Sequence, residues 1–264
     1  MIITKIHEKL KSGAWVVEDI LSMFESKLQI QLGTGKAKFT VTELCLSYYA
    51  KISLNDIKLR SNSFGLNDLS LDEKSYQYIV DILTTDHTKA EVGVFTESEK
   101  LKLNEALSLV KDANIFDMPD VSKVFQTFLK IEDVVFRSAS HPHIFGVMLV
   151  GEPIKNFTAE QVAVSIVHEM AHQELFLITL LDRLINQAYD YHEIHAPFQG
   201  RKRPPIGRIH SLWALYRMVQ FQNKIGKANL KHQALMKENI KAFESGELTQ
   251  FGECLVKIVE NEAT

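Results

Sequence analysis

Apolar residues recur every three to four positions along most of this chain, with polar residues between them. This is the period of an amphipathic helix, which buries one face and leaves the other in water. The pattern predicts helices at residues 18–31, 71–84, 98–112, 120–129, 158–187, 210–224, 229–244 and 248–260.

Segments typical of strands are fewer and shorter. Residues 133–137 and 144–150 are rich in β-branched and aromatic side chains, and the polar turn 138–143 separates them. Two such segments with a short connection predict an antiparallel hairpin. We therefore predict a mainly α fold (α+β), in which a small hairpin or sheet lies beside a long central helix.

The central helix at 158–187 has a recognisable start. Thr158 and Gln161 have the spacing of a capping box, in which each side chain bonds the backbone N–H of the other residue. From residue 162 to residue 185 the only charged side chains are Glu169, Glu174, Asp182 and Arg183. So few charges predict a helix that is mostly buried.

A soft boundary is predicted near residues 131–137. It separates a mainly helical N-terminal region, residues 1–132, from residues 133–264, which contain most of the histidines. The two regions could equally form one continuous domain. No chemistry is predicted for the N-terminal region.

Composition excludes several classes of function. The chain has 264 residues, 45% hydrophobic and 24% charged, which is enough to bury a sizeable core. A net charge of -3 gives no overall attraction to nucleic acid or to an anionic membrane. The two cysteines, Cys45 and Cys254, are too few for a disulfide framework. Without a signal-peptide pattern or a membrane-length apolar run, the sequence predicts a cytoplasmic protein.

The strongest chemical signal is His168-Glu169-Met170-Ala171-His172, within the central helix. Two histidines four residues apart lie on one face of a helix, so both imidazoles can bind a single divalent metal ion. Burying two imidazoles and a carboxylate is costly unless a metal ion or hydrogen bonds satisfy them. The motif therefore predicts a metal site.

The third ligand decides the chemistry of such a site. A metzincin peptidase is excluded, because no glycine and third histidine follow His172 at the required spacing. A thermolysin-like zinc peptidase stays open, with Asp190 or Glu193 as third ligand and Glu169 as general base. Two further histidines, His192 and His195, are candidate ligands.

A loop rich in proline, glycine and cations begins after residue 195. Its cations are Arg201, Lys202, Arg203 and Arg208. In a chain with a net negative charge, such a cluster is either a solvated surface loop or a binding site for an anion. Arginine suits anion binding, because its planar guanidinium can hold a carboxylate or phosphate through two hydrogen bonds.

Three segments of the C-terminal half occur in a specific combination. They are His168-Glu169-x-x-His172, then Ala196-Pro197-Phe198, then Arg203-Pro204-x-x-Gly207-x-x-His210. This combination resembles the HEXXH-motif domain family found beside genes for ribosomally made, post-translationally modified peptides. The sequence departs from the family pattern at Gln199, where arginine is common, and at Ser211, where glycine often follows the last histidine.

Members of that family are understood as Fe(II)- and 2-oxoglutarate-dependent hydroxylases of a side-chain β-carbon in a precursor peptide. The resemblance implies that His168, His172 and His210 are the metal ligands. It also implies that Arg203 holds the distal carboxylate of 2-oxoglutarate, with Arg208 as a further cosubstrate contact. The implied partner is a precursor peptide.

The role of Glu169 distinguishes this hypothesis from its alternatives. In the hydroxylase, Glu169 orients a ligand imidazole or a metal-bound water, whereas in a zinc metallopeptidase it is the general base. A third hypothesis is a non-catalytic metal-binding or peptide-binding protein. A closed site with four protein ligands would favour that one.

Overall fold

A computed structural model of the protein describes residues 2–35, 39–61, 67–70, 78–79, 82, 92–115, 121–132 and 137–263. The helix predicted at 71–84 and the strand predicted at 133–137 lie almost entirely outside these residues. The helices are α1 Ile2–Lys11, α2 Val17–Leu32, α3 Val41–Ala50, α4 Glu97–Ala113, α5 Val121–Val124, α6 Ala159–Thr179, α7 Pro205–Lys224, α8 Leu230–Ile240 and α9 Gln250–Ala263. None of these described helices is long and apolar enough to cross a lipid bilayer.

The strands of the described residues form three small sheets. The strands are β1 Lys58–Ser61, β2 Asn67–Ser70, β3 Val92–Gly93, β4 Thr127–Ile131, β5 Ser138–Ala139, β6 Val147–Gly151, β7 Ile194–Ala196 and β8 Arg201–Arg203. Strands β1 and β2 pair with each other, as do β7 and β8, and the remaining four have the order β3-β4-β6-β5. The mainly helical fold with a small sheet is therefore confirmed.

The residues described form two compact units. The sheet unit comprises the described residues of Glu18–Asp112 and Pro119–Gln173, and it contains the four-stranded sheet. The helical unit comprises those of Met1–Val17, Ala113–Met118 and Glu174–Thr264. Each unit therefore draws on several separate stretches of the chain.

The core of the sheet unit forms around its two central strands. Strands β4 and β6 are parallel, from Thr127 opposite Val147 to Ile131 opposite Gly151. Every residue of β6 is buried, as expected for a parallel strand that is covered on both faces. The buried cluster around these strands consists of Leu46, Ile52, Ile57, Ile79, Ile131, Ile144, Val147 and Leu149.

The edge strand β5 determines what lies beside this core. It runs antiparallel to β6, with Ser138 opposite Val150 and Ala139 opposite Leu149. The sequence predicts an antiparallel pair directly before the central helix, but β5 lies within the predicted turn 138–143, and β6 begins at Val147 rather than at residue 144. Strand β5 brings Ser138 and the following Ser140 to the candidate site.

One predicted element is wrong, and another ends earlier than predicted. The described part of residues 120–129, predicted as one helix, contains the short α5 and then the start of strand β4. The central helix ends at Thr179 instead of residue 187, because the N–H groups of Leu180 and Leu181 bond carbonyls three residues back. The Asp182 side chain then accepts the N–H of Arg183 at 2.7 Å, a local bond that competes with helix continuation.

Candidate metal centre

The start of α6 fixes where the two motif histidines lie. The N–H of Thr158 donates to Gln161 Oε1 at 2.9 Å, and the N–H of Gln161 donates to Thr158 Oγ1 at 3.3 Å. These reciprocal bonds satisfy two N–H groups that the first helical turn leaves without a partner. The predicted capping box is confirmed, and His168 and His172 follow on a regular helix.

The imidazoles of His168 and His172 face each other. Their Nε2 atoms are 2.9 Å apart, and the two ring planes are nearly perpendicular, with centroids separated by 4.5 Å. Both side chains are half-buried. Two nitrogens at this distance either share a proton in a hydrogen bond or bind one metal ion between them. The pair therefore has the placement that the motif predicts for two ligands of one metal ion, and the ligand role itself stays a prediction.

Glu169 is enclosed beside this pair, with 2% of its surface exposed. Ser138 Oγ donates to Glu169 Oε1 at 2.8 Å, and Ser140 Oγ donates to Glu169 Oε2 at 2.9 Å. One carboxylate oxygen therefore accepts a hydroxyl from β5 and the other accepts a hydroxyl from the residue directly after it. We call these two hydrogen bonds the serine clamp.

The serine clamp was not predicted from the sequence. Ser138 and Ser140 lie 31 and 29 residues before Glu169, and polar residues in a turn are usually solvated. The sequence does show two serines, two residues apart, in the predicted hairpin before the motif helix. That signal alone does not reveal which side chain they would contact.

The third predicted ligand, His210, lies in the helical unit. It is half-buried on α7, which begins with Pro204 as N-cap and Pro205 as first residue. A proline in the first turn suits a helix, because the missing N–H has no intrahelical partner there. The roles of His210 as ligand and of Arg203 as carboxylate contact stay predictions.

Arg203 is half-buried at the end of β8, opposite Ile194 of β7. A Cβ atom at Gly207 would lie 3.6 Å from Arg203 Cβ and Cδ, so the arginine stem extends over this glycine. This distance is an ordinary van der Waals contact, so the packing explains why the two residues are neighbours but does not by itself require glycine at 207. In the same hairpin, Arg201 and Lys202 are exposed.

Arg208 forms a buried ion pair. Its guanidinium donates to Glu247 Oε1 at 2.6 Å and to Glu247 Oε2 at 2.9 Å, and it also bonds the carbonyl of Ala242. Burial raises the pKa of Glu247, but hydrogen bonds from Arg208, Glu244 and His192 outweigh burial and lower it overall. These bonds use the terminal nitrogens that a cosubstrate would need, so Arg208 contributes to structure here.

Among the residues described, His192, Glu244 and Glu247 form a group whose ligand atoms all lie within 4.8 Å of one another. His192 Nδ1 is 2.8 Å from Glu247 Oε1 and 3.9 Å from Glu244 Oε2. A cation in this position would face the guanidinium of Arg208, which already bonds both oxygens of Glu247. We therefore interpret the group as an extension of the ion pair.

The remaining candidate ligands are Asp190, Glu193 and His195. Both carboxylate oxygens of Asp190 accept hydrogen bonds from Arg183 Nη2, at 2.6 and 2.7 Å. Glu193 and His195 are exposed.

No family model matches the sequence, and no curated protein matches it either. Functional evidence therefore comes from the residues themselves. The most informative of them are the two facing histidines of α6 and the clamped Glu169, which lies between them in sequence.

Proposed function

We propose that this protein is an Fe(II)- and 2-oxoglutarate-dependent hydroxylase that acts on a side-chain β-carbon of a ribosomally made precursor peptide. The observation that carries the proposal is the facing pair of imidazoles beside a carboxylate that is buried and clamped. The specific cosubstrate and peptide come from the motif resemblance.

The histidine pair has a spacing that one metal ion can bridge. The Nε2 atoms of His168 and His172 are 2.9 Å apart, and metal–nitrogen bonds of about 2.1 Å allow two imidazoles at this separation to bind the same ion. Imidazole is a ligand of both iron and zinc, so the choice of iron comes from the motif resemblance.

The state of Glu169 argues against a peptidase. A general base must contact the water that it deprotonates, directly or through one further water. Glu169 is 2% exposed, and both of its oxygens already accept serine hydroxyls. A supporting role beside the metal agrees better with this arrangement.

Each predicted residue then has a defined task. His168 and His172 would hold the metal, and the motif resemblance assigns His210 as the third ligand and Arg203 as the contact for the distal carboxylate of 2-oxoglutarate. When bound, iron and 2-oxoglutarate supply the oxidative chemistry with molecular oxygen. The protein's own contribution is to bind, orient and shield these groups.

The proposal is tested with protein loaded anaerobically with Fe(II) and mixed with 2-oxoglutarate, oxygen and a precursor peptide encoded beside its gene. We expect succinate to form and the peptide to gain one oxygen atom, measured by mass spectrometry. His172→Ala should abolish both products. Ser165→Ala on the same helix should retain them, because the Ser165 hydroxyl bonds only the Gln161 carbonyl, at 3.2 Å.

The alternative functions give different results. Cleavage of the peptide by zinc-loaded protein, abolished in Glu169→Gln, would identify a peptidase. Tight metal binding without succinate or cleavage would identify a non-catalytic protein. Either result would overturn the hydroxylase proposal.

A further inference from the structure

In the part of the chain that the structure describes, all but one of the buried carboxylates have cationic partners. Among the residues described, the buried acidic side chains are Glu99, Glu169, Glu174 and Glu247. Three of them form ion pairs, Glu99 with Lys130 at 2.9 Å, Glu174 with Arg217 at 2.7 Å and Glu247 with Arg208 at 2.6 Å. Of these four described residues, Glu169 alone is bonded only by hydroxyl groups.

This exception needs a physical explanation. Removing a charged carboxylate from water is expensive unless it is both hydrogen-bonded and paired with a cation. The serine clamp supplies the hydrogen bonds but no charge. A metal cation bound by the histidine pair of the same helix would supply the missing positive charge.

On the basis of the proposed function, we propose that Ser138 and Ser140 are positioning residues that hold Glu169 as an uncoordinated counter-anion of the bound metal. Because each carboxylate oxygen accepts a serine hydroxyl, turning Glu169 towards the metal would break these hydrogen bonds. The negative charge, held on the residue next to His168, stabilises the dication from outside its coordination sphere and favours binding by the imidazoles.

Removing the clamp should therefore change the metal site itself. Residues that support ligands from outside the coordination sphere typically contribute about tenfold to a hundredfold to metal affinity. In a Ser138→Ala/Ser140→Ala variant, Glu169 loses its alignment. We expect Co(II) to bind at least about tenfold more weakly because the counter-charge is no longer held in place, and its visible absorption spectrum should change for the same reason.

The experiment is a titration of metal-free protein with Co(II), followed by visible absorption. Ser165→Ala is the matched control. It removes a serine hydroxyl from α6, the helix of Glu169, but this hydroxyl bonds the backbone carbonyl of Gln161. Ser138→Thr and Ser140→Thr keep the donors and should retain affinity. Circular dichroism shows whether each variant is folded, and the two single alanine variants provide the test where the double variant is not.

Action through Glu169 is tested by a double-mutant cycle. In a Glu169→Gln background the charge is already lost, so removing the two serines should weaken Co(II) binding little further. An equal loss in both backgrounds, or an unchanged affinity and spectrum after removal of both serines, would overturn the positioning role.

The result also separates this inference from the proposed function. If His168→Ala and His172→Ala leave Co(II) binding unchanged, no metal is held by this pair and the proposed function fails. If they abolish binding while the serine variants behave like the wild type, the metal site stands and only the positioning role is wrong.

Discussion

At the residue scale, the buried ion pair of Glu174 and Arg217 should be a major contributor to stability. Arg217 donates to both Glu174 oxygens, at 2.7 and 2.9 Å, and also to the carbonyl of Gly13 at 2.6 Å. The Trp213 indole donates to the same carboxylate at 2.8 Å. Arg217→Met leaves a buried carboxylate without a cation, and we expect it to lower the free energy of unfolding by about 3–5 kcal/mol in urea denaturation.

The exposed pair of Arg183 and Asp190 is the control for this prediction. It has equally short hydrogen bonds, at 2.6 and 2.7 Å, but the Arg183 side chain is 56% exposed. Solvent screens exposed ion pairs, so Arg183→Met should change the free energy of unfolding by no more than about 1 kcal/mol. Similar losses in the two variants would show that burial does not set the contribution of these pairs.

At the element scale, the capping box should determine the stability of the motif helix α6. Thr158→Ala removes the acceptor for the Gln161 N–H, and loss of an N-cap of this type costs about 1 kcal/mol. Ser165→Ala lies within the same helix, where alanine has the higher helix propensity, so it should be neutral or slightly stabilising. Urea denaturation of both variants measures the difference, and equal midpoints would contradict a capping role.

The elements also show what sequence can and cannot predict. Thr158 and Gln161 were recognisable because the capping box is a local pattern with one geometry. Strand β4 was mistaken for helix, because its structure depends on parallel pairing with β6, which begins twenty residues after β4 begins. The histidine pair, like the capping box, is predictable because its spacing lies within a single helix. The serine clamp was not, since it joins residues about thirty positions apart.

At the scale of the whole molecule, stability should fall in two stages as the solution is acidified. The first stage comes from His141, where burial and the charge of nearby His143 lower the pKa from an ordinary value of 6.5 to about 4. Because the folded pKa is below the unfolded one, the unfolded state binds the proton more readily. The free energy of unfolding should therefore decrease from about pH 6.5 towards pH 4. His143 adds in the same direction, since burial lowers its pKa too.

The second stage comes from the paired carboxylates. For Glu99, burial raises the pKa, but hydrogen bonds from Thr96 and Lys130 and the charge of Lys130 lower it overall, and Glu247 is lowered in the same sense. A carboxyl group whose pKa is lowered by folding stabilises the protein at pH values above the ordinary pKa of 4.5. This stabilisation is lost as the pH falls through the folded pKa.

Urea denaturation from pH 7.5 to 3 measures both stages. His141→Asn keeps a side-chain acceptor for the His143 N–H but cannot bind the proton, so it should reduce the first stage and leave the second intact. A first stage of unchanged size in that variant would show that His141 is not its source.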